Sequence, residues 1–161
     1  MDTTPPRRDA AEQAKLEAAL IDLFERRITF NATLGLKVES AAPDAPRLRF
    51  EMRPEFIGHY LHNRLHGGVI SAALDATAGF ALMLAIGEAH AGETASQVMH
   101  RFMRIGTIDL RVDYLRQGIG SFFVATAQVT RLGGRVGSTS MRLVNDAGTL
   151  IATGAAAYMI S

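Results

Sequence analysis

The chain has no cysteine. That absence excludes a disulfide framework, a thiol nucleophile and any Cys-based zinc site, and it is compatible with a cytoplasmic protein. There is also no excess charge of either sign: 17 Lys+Arg stand against 16 Asp+Glu, a formal net charge of +1. Nucleic acid is therefore not expected as a partner, because phosphate binding needs a clustered basic face. The N-terminal M-D-T-T-P-P-R-R-D lacks the apolar core of a signal peptide and reads as a frayed tail. No internal repeat or low-complexity linker interrupts the rest. At 161 residues the chain is long enough for one domain with its own core.

What the sequence has is one long apolar run entered through two glycines. Residues 69–86 read V-I-S-A-A-L-D-A-T-A-G-F-A-L-M-L-A-I, with Ser71, Asp75 and Thr77 as the only polar side chains. The run is long enough to suggest a membrane span, but it is centred on an acid and has no long apolar continuation, so a buried core helix is expected instead. A carboxylate in such surroundings is costly to bury unless something pairs with it or uses it. Directly upstream, His66-Gly67-Gly68 permits a tight turn and leaves open N–H groups at a helix N-terminus, where developing negative charge is favoured. A carboxylate and an oxyanion donor in one short stretch point to acyl transfer.

Around that helix the periodicity changes. Leu16, Leu20, Leu23, Phe24 and Arg27 fall at spacings of three and four, predicting an amphipathic N-terminal helix. Residues 34–40 read as a first strand and 47–53 as a second, in which Leu48, Phe50 and Met52 alternate with charged residues. Residues 55–65 read as an irregular lead-in, and 94–103 as a short helix or a loop. Strands are expected at 107–114, 122–132, 136–144 and 149–160, joined largely by hairpins. In the first of these, Ile108, Leu110, Val112 and Tyr114 are expected on one face, with Thr107, Asp109, Arg111 and Asp113 on the other. The expected class is α+β, an antiparallel sheet wrapped around one long buried helix, with an extra N-terminal helix. A helix apolar on nearly all faces needs cover on nearly all sides, so a second subunit is expected.

Three stretches carry a family resemblance: L-H-G-G-V-I-S-A-A-L-D-A-T-A-G-F at 65–80, T-I-D-L-R-V-D-Y-L-R at 107–116, and R-L-G-G-R-V-G-S-T-S-M-R-L-V-N-D-A-G-T-L-I-A-T-G at 131–154. Together they resemble the hotdog-fold thioesterases, specifically the PaaI-like acyl-CoA thioesterases. The resemblance covers residues 34–160 and implies a single hotdog domain at 34–161, preceded by a tail and helix at 1–33. It also implies roles. Asp75 matches the helix carboxylate that acts as general base or nucleophile, and Gly67 the backbone N–H that polarises the thioester carbonyl. Gly68 is its neighbour in the turn, His66 matches the histidine that holds the thioester end, and Thr107 a hydroxyl that orients water or the carboxylate. In this family the glycine turn and the acid come from different subunits, implying a homodimer, often paired into a homotetramer. Asp75 lies two turns into the helix, about 10–12 Å along its axis from the glycine amides, which agrees with such sharing.

Relatives place Asn or Gln shortly before the H-G-G. Here His59 after Gly58 is the preferred counterpart, and Asn63 the other. His59, His62 and His66 also invite a metal reading, but no nearby acid completes a known ligand spacing, and neither a metal nor a cofactor is expected. Arg116, Arg131 and Arg135 fall at strand ends and hairpins, where guanidinium groups can meet coenzyme A phosphates. Phe56, Met83, Leu84, Met99 and Phe102 suit a tunnel for a medium or long acyl chain or ordinary core equally, and an aryl acyl-CoA such as a phenylacetyl thioester stands beside a fatty one as the expected substrate. The structural alternatives are a buried acid bonded to a helix end for Asp75 and a plain strand residue for Thr107. The functional alternatives are a hotdog hydratase or dehydratase on enoyl- or hydroxyacyl-thioesters, and a non-catalytic acyl-CoA-binding domain.

Overall fold

The computed structural model describes residues 7–161; most of the tail read from the sequence, residues 1–6, lies outside them. The N-terminal segment runs as α1 (Ala10–Asp22), a π-helical turn (Leu23–Arg27) and α2 (Thr29–Leu34). Asp9 caps α1 by accepting from the Glu12 N–H. β1 (Lys37–Ser40) and β2 (Arg47–Glu51) follow, then a small hairpin of β3 (Ile57–His59) and β4 (Arg64–Leu65). The long helix α3 (Gly67–Ala89) and the short α4 (Ala95–Arg101) precede β5 (Gly106–Tyr114), β6 (Phe122–Leu132), β7 (Val136–Asn145) and β8 (Leu150–Met159).

Six strands form one antiparallel sheet in the order β1-β2-β6-β7-β8-β5, against which α3 packs through β2 and β5 to β8. The 11-residue β6 and the 10-residue β7 and β8 form consecutive long strands in the sheet, and β1 and β5 are its free edges. Phe80, Leu74 and Leu82 of the helix and Phe50, Phe123, Leu143 and Ile151 of the strands are all essentially inaccessible. Burying each such side chain contributes about 1.5–3 kcal/mol, which fixes how deep the helix sits.

Of four expectations the structure revisits, three are corrected and the helix-or-loop alternative at 94–103 is decided for helix. The first strand begins at Lys37, not residue 34, because α2 continues to Leu34 and stops at Gly35, whose φ of 67° is the left-handed cap glycine adopts freely. The lead-in at 55–65 holds the β3–β4 hairpin, turned by Asn63 at φ 50°. Residues 95–101 are helical, because Thr94 and Gln97 form a complete capping box. The fourth concerns the faces of β5. A bulge lies between Thr107 and Asp109, so that Thr107 pairs with Tyr158 and Asp109 with Ala157. The extra residue, Ile108, is 59% exposed, and Thr107 joins Leu110 on the inner face.

The N-terminal segment shares the main core. Leu16, Leu20 and Phe24 are buried, and the Phe24 ring meets Phe80 of α3 edge-on at 4.9 Å. The segment is tied down at the far end of α3 too. Arg8 donates to the Gly87 carbonyl at 3.0 Å, placing a cation at a helix C-terminus, and Glu12 accepts from the Ala95 N–H at 2.9 Å. Part of the cover expected from a second subunit is thus supplied by the chain itself. Among the residues of α3 that stay partly exposed, Ser71, Ala72, Asp75 and Ala76 form a stripe along its N-terminal half.

Candidate active site

The site begins at the entrance to α3. His66 is its N-cap, and the imidazole Nδ1 accepts from the Gly68 N–H at 2.9 Å. An accepting Nδ1 carries no proton, so the neutral ring keeps its hydrogen on Nε2 as a donor. The Gly68 amide is therefore occupied, whereas the Gly67 N–H, too early for an intrahelical bond, has no partner among the described residues. Two contacts fix the turn. The His66 N–H donates to the Phe56 carbonyl at 2.7 Å, and the Tyr114 hydroxyl donates to the Gly67 carbonyl at 3.0 Å. Gly58 lies so near that a Cβ there would sit 2.5 Å from His66 Cα, which explains glycine in the hairpin strand beside the turn.

Two turns further along, Asp75 meets two hydroxyls. Thr107 donates to Oδ1 at 3.0 Å and Tyr158 to the same oxygen at 2.7 Å. Burial, then the adjacent Asp75 carboxylate, hold the Tyr158 phenol far above the usual tyrosine value, so it stays a donor. Asp75 is the single charged side chain in the wall of a cavity of about 430 Å³, otherwise largely apolar. Ala72, Asp75, Ala76 and Gly79 supply one face of α3 to it, and Ile105, Thr107, Leu110 and Tyr158 close the sheet side. Phe24, Ile28, Phe30 and Asn31 from the N-terminal segment complete the wall. A Cβ built on Gly79 meets nothing within 4 Å, so this glycine leaves room in the cavity.

Gly67 lines a different cavity, of about 390 Å³, with Arg64, Leu65, Ile70, Tyr114 and Arg116. Within one chain, then, the acid and the open amide face separate spaces. Arg116 is anchored by donating to the Leu150 carbonyl at 3.1 Å. Arg135 lies at the β6–β7 hairpin and lines neither cavity. His59 stacks on His62 at 4.8 Å and lines neither cavity; its Nδ1 is buried without a partner among the described residues. Asn63 serves the hairpin turn, where its positive φ is tolerated. No group of three or more His, Asp or Glu side chains suited to a metal occurs among the described residues. Met83, Leu84, Phe56 and Phe102 are buried in the hydrophobic core, with Met99 packed against it.

Sequence reasoning missed Tyr158, Tyr114, Arg64 and the N-terminal contribution to the Asp75 cavity. A signal for Tyr158 existed: it is the one aromatic residue in a final strand otherwise built of small and aliphatic side chains.

Comparison with known proteins gives concordant matches. The profile of the thioesterase superfamily matches residues 62–152. The medium/long-chain acyl-CoA thioesterase YigI of Escherichia coli is 36% identical over 139 residues, spanning 86% of this chain and 90% of that protein. The protein of the same name from Salmonella typhimurium is 37% identical over the same length and shares of the two chains. A crystal structure from Shewanella oneidensis, described as related to the thioesterase superfamily, matches with a TM-score of 0.88 and 33% identity, covering 96% of this chain and 100% of that one.

Proposed function

The chain belongs to the thioesterase superfamily and is a thioester hydrolase with the hotdog fold; from that premise we propose that it hydrolyses medium- and long-chain acyl-CoA thioesters to the free acid and coenzyme A. The observation that carries this reading is a single carboxylate, held by two hydroxyls, in the wall of an apolar cavity. The acyl chain occupies that cavity, and the thioester carbonyl comes within reach of Asp75. Asp75 takes a proton from water as its oxygen bonds to the carbonyl carbon, or attacks that carbon itself to give an anhydride that water then opens. In both routes the carbonyl electrons move to oxygen, to which the Gly67 N–H donates a hydrogen bond, and their return breaks the C–S bond to release the thiolate. His66, through Nε2–H, supplies a further donor at the thioester end. No metal or redox cofactor takes part in either route, and the cytoplasm is the proposed compartment.

The active unit in this reading is a homodimer, which can pair into a homotetramer. Its support is the separation of Asp75 from Gly67 by about 12 Å along the axis, each facing its own cavity. The partly exposed stripe on α3 and the unpaired edge of β5, with Ile108 and Tyr114 more than half exposed and Leu115 just beyond the strand also exposed, offer the surface for a partner. The partner's glycine turn then completes the Asp75 site. Arg64 and Arg116, beside the turn, are suited to the coenzyme A phosphates.

The test is free-thiol release across acyl-CoAs of increasing chain length. Wild type is expected to prefer medium and long chains. Gly79→Leu, which puts a side chain into the cavity, is expected to lower kcat/KM for the longest substrates roughly tenfold or more while sparing short ones. A uniform loss at every length would remove the acyl chain from this cavity. Hydration of an enoyl-CoA without thiol release would contradict the proposed reaction itself.

A further inference from the structure

We propose that Tyr158 is a positioning residue that, with Thr107, clamps Oδ1 of Asp75 and so commits Oδ2 to the chemistry. This rests on Asp75 acting as the base or nucleophile. Thr107 and Tyr158 are direct cross-strand partners in β5 and β8, so their side chains emerge side by side on one face of the sheet. The bulge immediately after Thr107 breaks the alternation of β5 and turns the threonine towards Tyr158. Both hydroxyls end on the same carboxylate oxygen, at 3.0 and 2.7 Å, and Oδ2 accepts no hydrogen bond among the described residues. Tyr158 also lies 3.0 Å from the Asp75 backbone carbonyl, but its one hydrogen goes to the shorter, charge-assisted bond. The ring is 2% exposed and buried among core side chains, so the hydroxyl is held by packing and not by the carboxylate it serves.

The groups facing Asp75 are Tyr158 from β8, Thr107 from β5, Ser71 from its own helix and Asn31 from α2, with no second charged side chain in the cavity wall. Removing the phenolic oxygen therefore leaves Oδ1 with Thr107 as its one remaining donor. Tyr158→Phe keeps the ring and is expected to lower kcat/KM roughly tenfold at neutral pH and to move the acidic limb of its pH profile upward. A purely structural tyrosine would lower activity without moving that limb.

The experiment is the pH profile of thiol release for wild type, Tyr158→Phe and Asp75→Asn. A raised limb in Tyr158→Phe, with Asp75→Asn inactive, is the expected result. An unmoved limb with Asp75→Asn inactive overturns the role of Tyr158 and leaves that of Asp75 standing. Wild-type activity in Asp75→Asn overturns both. If Tyr158→Phe folds poorly, 3-fluorotyrosine is incorporated in a Tyr60→Phe, Tyr114→Phe background, leaving Tyr158 as the labelled position. The fluorinated phenol is the stronger donor, so the limb is expected to move down relative to that background, and an unmoved limb overturns the proposal.

Discussion

Asp75→Asn is expected to lower kcat/KM for thiol release by roughly 10²–10⁴, the range a positioned general base contributes. The substitution is close to isosteric. The asparagine carbonyl oxygen can still accept from Thr107 and Tyr158, so the clamp and the surrounding core remain satisfied. What disappears is the basic, nucleophilic second oxygen. KM is expected to change little, because the acyl cavity keeps its shape and the lost interaction belongs to the reaction and not to binding. Asp75→Ala is expected to be as inactive, and also less stable, since the buried Tyr158 hydroxyl loses its charge-assisted acceptor and keeps only the residue-75 backbone carbonyl. Steady-state kinetics beside thermal unfolding separates the two effects.

Gly67→Pro carries the second large expectation. Gly67 is the first residue of α3, where proline is tolerated because its missing N–H has no intrahelical partner. His66, at φ −65° and ψ 137°, already holds the extended conformation that a residue before proline requires. The substitution therefore deletes one amide hydrogen from an otherwise intact helix, and the expected cost is roughly 10²–10³ in kcat. Gly67→Ala is the control for bulk. Its Cβ would meet the Tyr114 ring at 3.3 Å, as a proline Cβ would, but it keeps the N–H. Gly67→Ala is expected to lose far less. Equal losses in the two variants would assign the effect to crowding against Tyr114 and remove the amide from the mechanism.

The long helix, its one central acid and the glycine turn were legible in the sequence because each is written locally. The apolar run sets the helix, and its one carboxylate stands out against it. The strands were legible from alternation, but their edges were not. Gly35 stops α2 and delays β1, and only its positive φ tells the two apart. The face of Thr107 was misread because a bulge shifts the alternation by one residue, and a bulge is a property of the pairing between β5 and β8. Tyr158 was missed for the same kind of reason. It meets Asp75 from 83 residues away, across a sheet whose strand order is not sequential. The N-terminal helix showed its amphipathic face early, yet the cavity wall it provides through Phe24, Ile28, Phe30 and Asn31 required the tertiary fold.

Sharing of the site between two subunits is the central claim, and complementation tests it most directly. Asp75→Asn and Gly67→Pro are purified separately, dissociated, mixed in equal amounts and reassociated, and thiol release is measured. In a shared site, each mixed dimer carries one site with both defects and one with neither. With random pairing, about half of the dimers are mixed, so activity is expected to recover to about one quarter of wild type. If Asp75 and Gly67 served the same site from the same chain, every site would be defective, and a mixture no more active than its components would contradict the claim.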